Sequence, residues 1–259
     1  MDAGNVVAVV LGGGGPNDRL ARTVGAPSKA LVPLAGGPLG AYVLAALRDS
    51  GVVREVVFVG PTDAHLAALC DVRIPAGDRL VDSLALGLGA ALGRADGARI
   101  LVVTADVPWW SAEGVREFVM EAPDAGLVYP VVREEDALGA FPDQRRTYAR
   151  LVEGRVTGGN AALLRADAVT KLLPWIDRAY RARKRPLQLA GIVGWGTVVR
   201  LLMGRASIAL LERRVSALVG IEGRIFVSRD AAIAADVDSP EHLTASPTLP
   251  PLQPRGSAA

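Results

Sequence analysis

Lys29 draws attention because of what precedes it. Four glycines, Gly12 to Gly15, follow a valine-rich stretch, and the lysine comes fourteen residues after the last of them. Without side chains, a glycine backbone can approach a flat base or a phosphate closely, and its N–H groups can point at an anion. Lys29 and Arg19 would then supply the positive charge that phosphates attract. Two other uses of such a loop stand beside this one. A dinucleotide-binding turn needs G-x-G-x-x-G; Gly12 and Gly14 fit, but Asn17 holds the third place and no helix starts at once. A P-loop fits worse, since no G-K-[ST] follows. The third use is a structural turn carrying a surface lysine.

Three further stretches carry groups of interest. "LVVTADVP" closes on Asp106, a carboxylate at the end of an apolar run. In an open α/β sheet that end faces the ligand crevice. Its plainer use, capping the helix that begins near Ser111, is weakened by the distance between them. "AADVDSPEHL" holds Asp236 and Asp238; read plainly it is a helix start, with Asp238 or Ser239 as the cap and Pro240 in the first turn. "AGDRLVDSLALGLGAA" at 76–91 reads plainly as an Asp/Ser cap and an amphipathic helix.

The elements that must position these groups alternate. Apolar runs at 5–11, 55–60, 99–106 and 126–132 predict strands buried on both faces. Between them, 38–51, 81–94 and 111–122 predict helices, the first bounded by Pro38 and Gly51 and the third capped by Ser111. This is the pattern of βαβ units, and it predicts a doubly wound, mostly parallel α/β sheet. After about residue 165 helices dominate, at 167–184, 187–193 and 197–218, with strand-like runs at 223–228 and 232–238 returning to the sheet. We expect a single domain over 1–245 with a helical elaboration over about 167–220, and a disordered Pro-rich tail over 246–259.

Half of the 259 residues are apolar, enough for a sizeable core. The formal net charge of +2 gives no support to nucleic-acid binding by the molecule as a whole. One cysteine, Cys70, excludes an internal disulfide and fits a reducing compartment. No signal-like start and no spanning apolar run are visible, so a cytoplasmic protein is the expectation.

The stretch "LGGGGPNDRLARTVGAPSKALVPLAGGPLGAYVLAAL" resembles the signature of nucleotidyltransferases with a glycosyltransferase-A-like fold. These include sugar-phosphate nucleotidylyltransferases, MobA-like molybdopterin nucleotidylyltransferases and methylerythritol-phosphate cytidylyltransferases. Leu11 to Gly13, Arg19, Lys29, Leu31, Pro33, Gly36 and Pro38 match the pattern; an extra glycine, a "PND" insert and Ser28 in place of proline depart from it. The 76–91 segment, the D-x-P at Asp106 and the closing D-x-D-S-P-E resemble later family motifs, in the family's order. His242 stands where an aspartate is usual. The resemblance covers roughly 5–170 and 223–243.

That resemblance implies an enzyme that moves an NMP from an NTP to a phosphorylated small-molecule acceptor, with Mg²⁺ as cofactor and pyrophosphate as leaving group. Leu11, Gly12, Gly13 and Gly14 would contact the nucleotide, and Gly77, Asp78 and Ser83 the base, which tilts the reading towards CTP. Lys29, Arg19 and Asp106 would be catalytic. Asp106 and Asp238 would hold the metal, with Asp236 the neighbouring candidate. Gly158, Gly159 and Asn160 would lie beside the acceptor; their plainer use is a hairpin turn before an edge strand. Two alternatives differ in class. One is a nucleotide-binding sensor or scaffold without catalysis. The other is an NAD(P)-dependent oxidoreductase, disfavoured by the missing third glycine and by Gly60 and Pro61 where an acidic residue would end the second strand.

The least family-like part holds Arg178, Arg181, Arg183, Lys184 and Arg185, followed by Trp195, Val198, Val199, Leu202 and Met203. The favoured reading is a solvated face plus a helix packed on the sheet or on a second copy in a homodimer. A membrane-surface contact is the less favoured one. Trp109 and Trp110, after Asp106, could flank the acceptor or sit in the core.

Overall fold

In the computed structural model of the protein, residues 5–13, 18–182, 190–192, 194–239, 241–242, 249 and 252 are described. Gly14, Arg183, Lys184, Arg185, most of 187–193 and nearly all of 246–259 lie outside them.

Val6–Leu11 forms β1, and its valines are spent on both faces of the sheet. Val6, Ala8 and Val10 enter one core and Val7 and Val9 the other, the two-residue alternation of a strand covered on both sides. The chain then runs through α1 (Arg19–Val24), a small hairpin of β2 (Pro33–Leu34) and β3 (Gly37–Pro38), α2 (Leu39–Asp49), β4 (Val53–Val59), α3 (Ala64–Leu69), β5 (Val72–Ile74), α4 (Leu80–Leu92), β6 (Arg99–Thr104) and α5 (Ala112–Glu121). Helices α2 and α5 cover one face and α4 the other. Ser111 caps α5, its hydroxyl accepting from the Gly114 N–H at 3.1 Å.

The second half adds β7 (Leu127–Arg133), α6 (Glu134–Ala140), β8 (Ala149–Leu151), β9 (Gly154–Gly158), β10 (Ala161–Arg165), α7 (Val169–Ala182), the helices Trp195–Leu202 and Ile208–Val219, and β11 (Gly223–Ser228). The strands form one sheet in the order β5-β4-β1-β6-β10-β7-β9-β8, with β11 also on β7. Pairing is parallel from β5 through β6 and between β7 and β11, and antiparallel where β10 meets β6 and β7 and where β9 meets β7 and β8. The predicted α/β class, mostly parallel sheet and C-terminal helical elaboration are all present.

Several expectations need correction. The run 232–238 is not a strand: Ala231–Ala234 is a 3-10 turn, and the chain beyond it joins no ladder. The predicted helix 197–218 is two helices, broken where Gly204 takes a φ of 66° and Ser207 caps the second. The turn at Gly158–Asn160 precedes no edge strand, since β10 lies in the middle of the sheet. Trp109 and Trp110 are core residues, Trp109 against the Phe141 ring at 5.4 Å between centroids. Helices α1, α3 and α6 and strands β5, β8, β9 and β10 were not legible in the periodicity. Among the described residues no helix is long and apolar enough to cross a membrane.

Candidate active site

Because β1, β4 and β6 are parallel, their carboxyl ends share one edge of the sheet. Antiparallel β10 brings its amino end to the same edge, and the candidate residues gather there. Gly12 follows β1; its N–H donates to the Val59 carbonyl at 2.9 Å, and a Cβ on it would run into the Phe58 ring. Gly60, at φ 148°, lies across Gly12, so that its own Cβ would stand 2.7 Å from the Gly12 carbonyl carbon. Gly13 faces Ala76 and the Ser83 hydroxyl. Three loops thus meet through bare backbone, and the 76–83 segment borders the glycine loop.

Within that segment the Ser83 hydroxyl is buried and accepts the Gly77 N–H at 3.0 Å. Asp78 is exposed. Arg79 pairs with Asp82 at 2.6 Å and with Asp177 on α7 at 3.2 Å, which orients the loop between two helices.

Lys29 opens a one-turn 3-10 helix directly after the fully buried Ser28. Its ammonium donates to Asp106 Oδ2 at 2.6 Å and to Asp238 Oδ1 at 2.5 Å. Asp106 stands two residues beyond β6, and its backbone carbonyl accepts the Val237 N–H at 2.9 Å. That bond brings the closing segment alongside. Asn160 holds the same segment from the other side: its N–H donates to the Ile233 carbonyl at 2.9 Å and its side-chain amide to the Ala234 carbonyl at 3.1 Å. Asp236 pairs with Arg146 at 2.8 Å, and Arg146 also reaches Gln144 at 3.1 Å. The Asp238 N–H donates to His242 Nδ1 at 3.3 Å, so the histidine caps where the resembling motif has aspartate.

Asp106, Asp236 and Asp238 each offer an oxygen within 4.8 Å of the others. Three carboxylates face two cations, Lys29 and Arg146. Burial pulls the Lys29 pKa down, but the charge and hydrogen bond of Asp106, and then those of Asp238, outweigh it and hold the amine protonated. Burial pushes the Asp236 carboxyl up, and the neighbouring Asp238 and Asp106 push it further, to about 6. Asp238 feels the same burial, yet the hydrogen bonds from Lys29 and Asp236 keep it below the usual aspartate range. Asp106 Oδ1 is buried and has no partner among the described residues. A hard divalent cation binds through carboxylate oxygens and water, so this donor set suits one.

Arg19 is exposed at the start of α1, which Asp18 caps. It touches none of the three carboxylates. The Glu241 carboxyl is held below its ordinary value first by the Ser239 hydroxyl and, to a lesser extent, by the charge of Arg19. Leu11 ends β1 half-buried, Gly158 ends β9 and Gly159 lies between β9 and β10, and the Tyr129 hydroxyl donates to the Gly159 carbonyl at 3.0 Å. The structure therefore brings Lys29, Asp106, Asp236 and Asp238 together and adds Arg146, while Gly12, Gly13, Gly77 and Ser83 gather at the same edge of the sheet. Nothing in the local spacing of "DQRRTYARL" pointed to Arg146; its partner is 90 residues away.

At the carboxyl edge of this α/β sheet, side-chain-free loops and a cluster of one amine and three carboxylates form an arrangement that suits a phosphate-bearing ligand and a cation. The chain belongs to the MobA-like NTP transferase domain family, whose sequence pattern matches residues 8–187. The match takes in Gly12, Lys29 and Asp106 and stops short of Asp236 and Asp238. A solved structure described as a hypothetical transferase from Thermus thermophilus is 40% identical, with a TM-score of 0.85, over 93% of this chain and 100% of that one. The bifunctional protein GlmU of Acidithiobacillus ferrooxidans is 36% identical over 105 residues, covering 38% of this chain; the match spans only 22% of that relative's length. A CMP:2-keto-3-deoxy-manno-octonic acid synthetase solved with CTP shares the fold, with a TM-score of 0.56 at 16% identity over 92% of this chain and 95% of that one.

Proposed function

We propose that this protein is a Mg²⁺-dependent nucleotidyltransferase that moves an NMP from an NTP to a phosphorylated small-molecule acceptor and releases pyrophosphate. The observation that carries the reading is the Lys29 ammonium bridging Asp106 and Asp238, at 2.6 and 2.5 Å, beside a side-chain-free loop. An acceptor oxygen attacks the α-phosphorus, and the bond to the pyrophosphate oxygen breaks. Such chemistry needs positioning and charge neutralisation more than covalent help. Lys29 offsets the charge that grows on the α-phosphate. Arg19, exposed at the start of α1, attracts the β- and γ-phosphates of the leaving group. Asp106 and Asp238 would hold Mg²⁺, with Asp236 next to them; bound there, the ion neutralises phosphate oxygens as a Lewis acid. Gly12, Gly13 and the Gly77–Ser83 segment border the base, and the tilt to CTP rests on that segment. Gly158–Asn160 flanks the acceptor side.

The test is a pyrophosphate-release screen of four NTPs against a panel of sugar and polyol phosphates, with Mg²⁺ and with chelator. One NTP should release pyrophosphate only in the presence of an acceptor and metal. Tight NTP binding without pyrophosphate release for any acceptor would instead favour a sensor or scaffold.

A further inference from the structure

Among the described residues, the helix Trp195–Leu202 is anchored on one side. Thr197 is buried, and Leu201 packs with Val131, Leu151 and Ala206 at the antiparallel end of the sheet. At about 100° per residue, Trp195, Val199, Leu202 and Met203 fall on the opposite side, within about 100° of arc, and Arg200 lies at its edge. These four side chains face water: Trp195 is 56% exposed, Val199 49%, Leu202 80% and Met203 57%. Single exposed apolar residues need no explanation, but a contiguous stripe marks an interaction surface.

The charge around the stripe identifies what it meets. Between residues 194 and 219 there are four arginines, Arg200, Arg205, Arg213 and Arg214, against one acid, Glu212, giving 4 − 1 = +3. Glu212 is turned inward, where its carboxylate accepts the Ile225 N–H at 2.9 Å. Arg200, Arg205 and Arg213 are exposed. With +2 for the whole chain, the remainder carries 2 − 3 = −1. An apolar helix face bordered by cations, with a tryptophan at one end, suits a surface that is apolar below and anionic above.

We infer that this helix and the Met203–Arg205 loop after it dock on an anionic lipid bilayer, lying in its interface without spanning it. Two other occupants fit less well. A two-fold dimer would set the same patch against itself and bring the exposed arginines together. A nucleic acid would use the arginines but leave Leu202 and Met203 without a partner. The inference stands apart from the transferase reading, because none of these residues lines the proposed site.

Co-sedimentation of the full chain with lipid vesicles tests it. Vesicles of phosphatidylcholine with about a third phosphatidylglycerol should bind at least about tenfold more protein than phosphatidylcholine alone, and salt should weaken that binding. Leu202→Glu should reduce binding about tenfold or more, as should Arg200→Glu combined with Arg205→Glu, with unchanged circular dichroism. No preference for anionic vesicles, or binding indifferent to Leu202→Glu, would overturn the inference. So would a dimer in sedimentation velocity that Leu202→Glu dissociates, or tRNA binding tighter than vesicle binding and unchanged by that substitution.

Discussion

Lys29 follows the fully buried Ser28, and its amine meets carboxylates from two distant stretches, Asp106 and Asp238. Replacing it leaves Asp106 and Asp238 facing one another without their shared counter-charge, while little of the hydrophobic core is touched. Lys29→Ala should therefore lower pyrophosphate release about 10²–10³-fold with a native circular dichroism spectrum, and Asp106→Ala should act similarly. Near wild-type turnover in either variant would remove that residue from the chemistry. At this scale the sequence was informative where a residue follows a buried strand. Asp106 was legible because it closes a strand-like run with the apolar stretch Ile100–Val103 at its centre, and Lys29 because of the glycines before it. Arg146 was not, since its meaning lies wholly in a partner brought close by folding.

At the scale of elements, the stretch after β11 shows how a buried run can be mistaken for a strand. "AIAADVD" is apolar and short, but its burial comes from side-chain and backbone anchors, Asn160 and Asp106, in place of a ladder. The short, half-exposed strands β8 and β9 failed to register for the opposite reason: too few apolar residues alternate to give a period. The 3-10 turn before the acidic segment starts at Asp230, whose side chain accepts the Ala232 N–H at 2.9 Å. Burial holds that carboxyl above the ordinary aspartate value, partly offset by the Ala232 bond. A raised acid contributes its full stability below the ordinary value, near 4, and loses it as pH climbs above that. Asp230→Asn keeps an acceptor for the Ala232 N–H and removes the titration. The wild type should therefore lose denaturant stability relative to this variant as pH rises from about 4 to 7. Identical pH slopes for the two proteins would refute that account of the turn.

For the molecule as a whole, one crevice collects negative charge while the C-terminal helices carry positive charge. Asp106, Asp236 and Asp238 exceed their two cationic partners, and the Asp106 Oδ1 atom has no partner among the described residues. A divalent cation binding the folded chain and not the unfolded one must raise its melting temperature. Millimolar Mg²⁺ should do so by a few degrees, and the increment should vanish in Asp106→Asn combined with Asp238→Asn. A Mg²⁺ increment that survives in the double variant would place the ion elsewhere.

The partners of the central ion pair lie 209 positions apart in the chain. All the strands of the sheet therefore precede Asp238 in synthesis, and until it is made Lys29 can meet only Asp106. Fragments that stop upstream of Asp236 can carry the glycine loop and the amine, yet they hold only one of the three acids. On the proposed reading, such a fragment would lack two of the three acids that hold the metal, and the chemistry would wait for the chain to reach Asp238.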